Sequence, residues 1–168
     1  MNLFPKLSLL TLLVISACKN IAEHRSEGDV HMQNTIGRVK LTDLNSQPID
    51  MKRYTSKTVV INFWATWCKP CLEEMPSIQK AKEMLKDQHI EFLFASDEST
   101  EQIETFKAEH DYGFNYFKAA NMEELNIMGL PTTLIFGRDG KLVFSEIGYR
   151  KWDNKTNIDL IQKIAKRK

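Results

Sequence analysis

Two kinds of hydrophobic pattern alternate through most of the chain. Mostly apolar runs over residues 58–64 and 90–96 predict buried strands, because a strand covered on both faces lacks a regular alternation of apolar and polar residues. Segments 72–85 and 152–168 carry apolar residues every three or four positions and predict amphipathic helices. Strands that alternate with helices indicate an α/β fold built around a central sheet.

Weaker patterns complete the predicted sheet. Apolar alternation around turn residues predicts hairpins, and Ser, Thr or Asn followed three residues later by Glu or Gln predicts the start of a helix. These signals predict a hairpin over residues 36–54 with its turn at 45–48, a helix that begins after Ser99, a strand over 115–119, a short helix over 121–125 and a hairpin over 132–147.

Two cysteines, Cys68 and Cys71, stand three residues apart where the first strand gives way to a helical pattern. The first turn of a helix brings their sulfurs together, and its free N–H groups favour a thiolate. We expect Cys68, nearer the helix tip, to be the nucleophile and Cys71 to be the resolving thiol. Zinc is the alternative, but a structural zinc site needs four ligands and Cys18 is the only further cysteine.

The first 34 residues carry a different pattern. Lys6 precedes an apolar segment that is too short to span a bilayer, and small residues precede Cys18. Residues 15–18 resemble the bacterial lipobox, which implies a lipoprotein signal peptide over 1–17 and a lipidated Cys18. We also predict a flexible polar tether over 18–34. An ordinary secretory signal is the alternative. Lipidation of one of the three cysteines leaves a single pair, which favours the lipoprotein.

Length and composition suit one folded domain over residues 35–168. The 168 residues are 42% hydrophobic and 27% charged, enough for a core of its own. The formal net charge of +1 gives no reason to expect nucleic-acid binding. We expect a monomer on the periplasmic or cell-surface side of a membrane, held there by the lipid at Cys18.

Residues 62–76, with the sequence NFWATWCKPCLEEMP, resemble the active-site segment of the TlpA/ResA branch of thioredoxin-fold thiol–disulfide oxidoreductases. The resemblance extends from about residue 35 to the C-terminus. It implies a thioredoxin-like fold with a central mixed sheet flanked by helices, an N-terminal hairpin and a strand-bearing insertion. It also implies a cis Pro131 that faces the cysteines and a Leu130 backbone that pairs with an extended client segment.

Glu74 shares the apolar stripe of its predicted helix with Ile78 and Leu85. It therefore lies one turn from Cys71, where burial would raise its pKa and allow proton exchange with the thiol. The resemblance places a proton-exchanging acid at this position, whereas the alternative is a solvated acid near a helix N-terminus. Asn62 replaces the buried aspartate of thioredoxin proper, and we expect a satisfied core amide there.

The resemblance further implies an enzyme that reduces protein disulfides. The Cys68 thiolate would attack the client, and Cys71 would then close the Cys68–Cys71 disulfide, so that neither an organic cofactor nor a metal is needed. Trp67 would help to dock the client. Lys69 would favour the thiolate, and Pro70 would stiffen the turn. Family members commonly serve cytochrome c maturation or similar reduction, fed by a thiol-type electron donor in the membrane.

Three other functions share these features. The same pair would make an oxidase or isomerase if its reduction potential were high, since the potential sets the direction of exchange. A copper-handling chaperone would bind Cu(I) through the two thiolates, although the related family spaces its cysteines one residue wider. A peroxiredoxin-like peroxidase has a threonine three residues before its reactive cysteine, where this chain has Ala65.

Overall fold

A computed structural model describes residues 35–110 and 112–167. The chain divides into two units, residues 1–33 and 34–168, and every described element belongs to the second. The predicted signal peptide, Cys18 and the tether lie outside the described residues. Within the described ranges, no helix is both long enough and apolar enough to cross a bilayer.

Six strands and three α-helices are found in the described residues. The strands are β1 (Leu41–Thr42), β2 (Thr58–Phe63), β3 (Ile90–Ser96), β4 (Asn115–Ala119), β5 (Thr132–Phe136) and β6 (Leu142–Ile147). The helices are α1 (Lys69–Met84), α2 (Thr100–Glu109) and α3 (Lys155–Ala165). Short 3-10 helices at Ile36–Arg38 and Met51–Tyr54 lie on either side of β1.

The strands form one sheet in the order β1-β4-β3-β2-β5-β6. The pairs β2–β3 and β3–β4 are parallel, whereas β1–β4, β2–β5 and β5–β6 are antiparallel. The prediction of a central mixed sheet with helices is therefore confirmed. Every residue of β2 is buried, which explains why its sequence is mostly apolar.

Alternate residues of the central strands enter two separate cores. Val60 and Phe94 lie in a core that includes residues of all three helices, such as Ile161. Ile61 and Leu93 lie in a second core, which is closed by the segments around β1 and before β5. The connections β2–α1–β3 and β3–α2–β4 advance in the same direction across the sheet. Because connections between parallel strands are right-handed, α1 and α2 lie on the same face of the sheet.

The N-terminal hairpin is smaller than predicted. β1 has two residues and pairs with β4, and the expected second arm makes a single bridge, from Pro48 to Thr42. The Asp43 carboxylate accepts N–H groups of its own loop, which tightens the turn. Met51 and Tyr54 then enter the core from a 3-10 helix, where two apolar residues three positions apart share a face.

The predicted helix over residues 121–125 is wrong, because this segment is a turn. The Asn121 side chain does not cap a helix. It accepts the Lys40 N–H at 3.0 Å and donates to the Arg38 carbonyl at 2.9 Å, so it joins the turn to the chain before β1. A tertiary contact thus uses the side chain that the local pattern assigned to a helix cap.

Candidate active site

The end of β2 brings the two cysteines to one edge of the sheet. α1 begins at Lys69, and Cys68 is its N-cap residue, with its Sγ accepting the Cys71 N–H at 3.3 Å. A disulfide joins Cys68 to Cys71, and their Cα atoms are 5.3 Å apart. Cys68 is 4% exposed and Cys71 is 0% exposed, so Cys68 is the more accessible of the two.

Glu98, just beyond β3, holds the loop that leads to Cys68. Its carboxylate accepts the Thr66 N–H at 2.7 Å, the Thr66 O–H at 2.6 Å and the Ser96 O–H at 3.1 Å. The two distances from Thr66 are as short as those of hydrogen bonds to a charged acceptor. Sequence reasoning missed this contact because the partners are far apart in the chain. The only signal was an acid two residues after a buried strand.

Glu74 is fully buried on α1, one turn beyond Cys71. One carboxylate oxygen accepts the Asn62 side-chain N–H at 2.7 Å, and the other accepts the Arg150 backbone N–H at 3.0 Å. Burial raises the pKa of Glu74 to about 7, although the hydrogen bonds from the Arg150 backbone and the Asn62 side chain act in the opposite direction. The group therefore changes its protonation state near neutral pH.

Asn62 has a larger part in the site than a satisfied core amide would have. Its Nδ2 donates to Glu74 and, at 3.1 Å, to the Thr133 hydroxyl, so the side chain joins β2, α1 and β5. Its Oδ1 has no hydrogen-bond partner among the described residues. The prediction of a satisfied core amide is therefore wrong, because one amide atom lacks a partner and the other joins three elements. The sequence gives no signal for the contacts of Thr133 and Arg150, because each is a long-range partner.

The segment before β5 reaches the same edge of the sheet. The Leu130–Pro131 peptide bond is cis. Thr132 pairs with Phe63 on one side and with Ile147 on the other, so Pro131 lies beside the end of β2. Leu130 is half-buried and packs against both cores. The loop with the cysteines, the cis proline and the end of β6 therefore meet at one edge.

Large apolar side chains are exposed around this edge. Trp67, next to Cys68, is 74% exposed, and Met128, two residues before Leu130, is 77% exposed. Ile147 and Tyr149 are also exposed at the end of β6. We call Trp67, Met128, Ile147 and Tyr149 the apolar rim. Exposed apolar groups that cluster in this way are characteristic of an interaction surface.

Lys69 and Pro70 occupy the first turn of α1. Lys69 is 86% exposed and lies 3.8 Å from the Glu73 carboxylate, so solvent and a neighbouring charge both weaken its effect on Cys68. Pro70 is exposed in a turn where a missing N–H leaves no hydrogen bond unmade.

This topology, with a disulfide at the start of a helix and a cis proline beside it, defines a thioredoxin-like fold. A solved structure described as thiol:disulfide interchange protein DsbE from Chlorobium tepidum superposes with a TM-score of 0.70, at 18% identity, over 79% of this chain and 96% of that one. The predicted fold is thereby confirmed. The chain belongs to the AhpC/TSA family, whose model matches residues 32–145.

Two relatives are similar in sequence. Thiol-disulfide oxidoreductase ResA of Bacillus thuringiensis is 32% identical over 107 residues, which are 61% of this chain and 62% of that protein. Thioredoxin-like protein YneN of Bacillus subtilis is 29% identical over 161 residues, or 90% of this chain and 95% of that one. The match to ResA therefore spans about three fifths of each chain.

Proposed function

We propose that this protein is a thiol–disulfide oxidoreductase that reduces disulfides of client proteins through Cys68 and Cys71. The observation that carries the proposal is a disulfide at the N-terminus of α1 with a buried carboxylate, Glu74, one turn away and a pKa of about 7. The similarity to thiol-disulfide oxidoreductase ResA supports the same reaction.

The reaction begins from the dithiol. The Cys68 thiolate attacks one sulfur of the client disulfide, and the client S–S bond breaks as a mixed disulfide forms. The released client thiolate takes a proton from solvent. The Cys71 thiolate then attacks Cys68 Sγ, the second client thiolate leaves, and the Cys68–Cys71 bond closes. Two electrons pass from the pair to the client.

Cys71 must lose its proton before this second attack, and Glu74 is the base for that step. A thiol with no exposed surface has little water to receive the proton, whereas the Glu74 carboxylate lies one helical turn away. A pKa of about 7 leaves a large fraction of Glu74 ionised at neutral pH and lets it return the proton later.

The client binds across the apolar rim. An extended client segment pairs with the backbone of Leu130, and apolar side chains beside its cysteine pack on Trp67 and Met128. This arrangement presents the client sulfur to Cys68, the more accessible sulfur of the pair.

The oxidised pair must be reduced again after each turnover. A lipid at Cys18 holds the domain on the extracytoplasmic side of the membrane, and a thiol-type membrane donor returns two electrons to the Cys68–Cys71 disulfide. Cytochrome c maturation, which the resemblance to TlpA/ResA-type proteins implies, is the candidate process. Incorporation of labelled lipid and membrane fractionation test the anchor. Cys18→Ala should abolish lipid incorporation and remove the protein from the membrane fraction.

Trapping the mixed disulfide tests the reaction itself. Cys71→Ala should accumulate a covalent adduct with a disulfide-containing client, because the resolving thiol is missing, and Cys68→Ala should neither trap nor reduce it. Cys18→Ala is the matched control and should reduce the client at the wild-type rate. Reduction that persists in Cys68→Ala would contradict the proposal.

Two assays separate the rival functions. Consumption of hydrogen peroxide at a rate above client reduction would identify a peroxidase, although Ala65 occupies the position where that pattern has threonine. Stoichiometric Cu(I) binding by the dithiol, without client reduction, would identify a copper chaperone.

A further inference from the structure

Three cationic side chains surround a pocket at the opposite end of the sheet from the disulfide. The pocket has a volume of about 410 Å³ and includes Arg138 and Lys141 from the turn between β5 and β6, and Arg167 from the end of α3. All three are exposed. We call Arg138, Lys141 and Arg167 the basic pocket.

The basic pocket carries more positive charge than its neighbours neutralise. Asp139 is the only carboxylate among the residues that line it, and it lies 3.5 Å from the Lys141 ammonium. Within the described part of the chain, neither Arg138 nor Arg167 forms an ion pair. Arg138 donates its Nε to the Ser56 carbonyl at 3.0 Å, which leaves its terminal amino groups for an anion. Guanidinium groups in such a setting match the geometry of a phosphate.

The chain enters the domain beside this pocket. Thr35 forms an antiparallel bridge with Lys141, and the Ile36 N–H donates to the Gly140 carbonyl at 2.8 Å. Pro131 directly precedes β5, and the turn to the basic pocket directly follows it. A strand of this length spans roughly 17 Å, so β5 separates the cis proline from the pocket by that distance.

We propose that the basic pocket binds phosphate headgroups of anionic phospholipids, so that this end of the domain lies on the membrane and the disulfide faces away from it. The proposal rests on the proposed function only for the anchor that brings the domain to the membrane. A domain that is tethered through its N-terminal segment turns toward the membrane the end at which this segment enters it. That end carries Arg138 and Arg167, which form no ion pair within the described residues. Attraction to an anionic surface acts within about a Debye length, so only this end contributes to it.

Amide hydrogen exchange of the full chain on vesicles tests this orientation. The protein is prepared in the lipidated form and as Cys18→Ala, and each is mixed with neutral phosphatidylcholine vesicles or with vesicles that also contain phosphatidylglycerol. We expect slower exchange over residues 137–143 on the anionic vesicles only. Exchange over residues 66–72, at the disulfide, should be the same on both.

Charge removal provides the matched comparison. Arg138→Gln with Arg167→Gln should abolish the anionic protection and weaken vesicle binding of the Cys18→Ala form, by about fivefold for each charge removed. Lys107→Gln with Lys151→Gln removes two exposed charges outside the pocket and should change neither. Lys141→Gln with Arg167→Gln repeats the test while it keeps the hydrogen bond from Arg138 to Ser56.

The outcomes separate the possible explanations. Equal protection on neutral and anionic vesicles, or protection unchanged in the charge variants, would overturn the proposal. The same protection in inorganic phosphate without vesicles would show a free-phosphate site, and would also overturn membrane docking. If Cys18 carries no lipid but anionic protection persists, the anchor is wrong and the docking surface stands.

Discussion

At the scale of single residues, two opposed effects act on the pKa of Glu74. Its carboxylate is fully buried, which favours the protonated form, yet it accepts hydrogen bonds from Asn62 and Arg150, which favour the charged form. Burial has the larger effect, so the pKa rises to about 7 rather than falling. A carboxyl group with this pKa can release or accept a proton near neutral pH.

This raised pKa predicts a stability that depends on pH. Unfolded Glu74 titrates near 4.5 and folded Glu74 near 7, so between these values the folded chain keeps a proton that the unfolded chain has released. The free energy of unfolding therefore includes a contribution that is fully present below pH 4.5 and is lost as pH rises through 7. The loss amounts to about 3 kcal/mol.

Urea unfolding of the oxidised protein across this pH range measures the effect. Glu74→Gln should remove the slope, because its amide does not titrate there, whereas Glu73→Gln, an exposed neighbour, should keep it. An identical slope in wild type and Glu74→Gln would show that another group is responsible.

At the scale of elements, the contact between Glu98 and Thr66 fixes the loop before Cys68 to the end of β3. The Thr66 N–H and O–H both donate to this carboxylate, which is nearly buried, so losing it leaves donors unsatisfied. Glu98→Gln should lower the free energy of unfolding by about 1–3 kcal/mol.

Chemical denaturation with the Cys68–Cys71 bond intact provides the measurement. Thr66→Val removes only the hydroxyl donor and should lower the free energy of unfolding less than Glu98→Gln does. Glu101→Gln, at an exposed position, should change this free energy little. If Glu101→Gln lowered the free energy of unfolding as much as Glu98→Gln, the cause would be the loss of a negative charge and not the loss of the contact with the loop.

A second element-scale prediction concerns the start of α2. Ser99 Oγ accepts the Gln102 N–H at 3.2 Å, and the Gln102 side chain accepts the Ser99 N–H at 3.1 Å. Ser99→Ala should therefore destabilise the protein by about 1 kcal/mol, seen as a lower midpoint in a thermal melt. Glu104→Ala on the exposed face of the same helix is the control. No change in Ser99→Ala would contradict this account of the helix start.

At the scale of the whole molecule, the sheet separates two surfaces with different chemistry. The apolar rim and the disulfide lie at one edge, and the basic pocket lies at the other end of β5. The proposed membrane contact at one end and the proposed client site at the other both require such a separation.

The sequence predicted this architecture where burial dominates. Every residue of β2 is buried, and β3 is buried beyond its first two residues, so their mostly apolar runs were sufficient signals. The spacing of Cys68 and Cys71 likewise located the disulfide. The prediction for residues 121–125 was wrong because Asn121 bonds across the fold. Glu98 and Arg150 were missed because their contacts join residues far apart in sequence.

The reduction potential of the Cys68–Cys71 pair tests the central claim most directly. The full chain is equilibrated with thiol buffers of defined potential, and the fraction of dithiol is measured by alkylation. We predict a reversible two-electron transition near roughly −270 mV, the value of thioredoxin, as a protein that reduces its clients requires. A midpoint near roughly −120 mV, the value of the oxidant DsbA, or a pair that does not re-form its disulfide, would contradict the account.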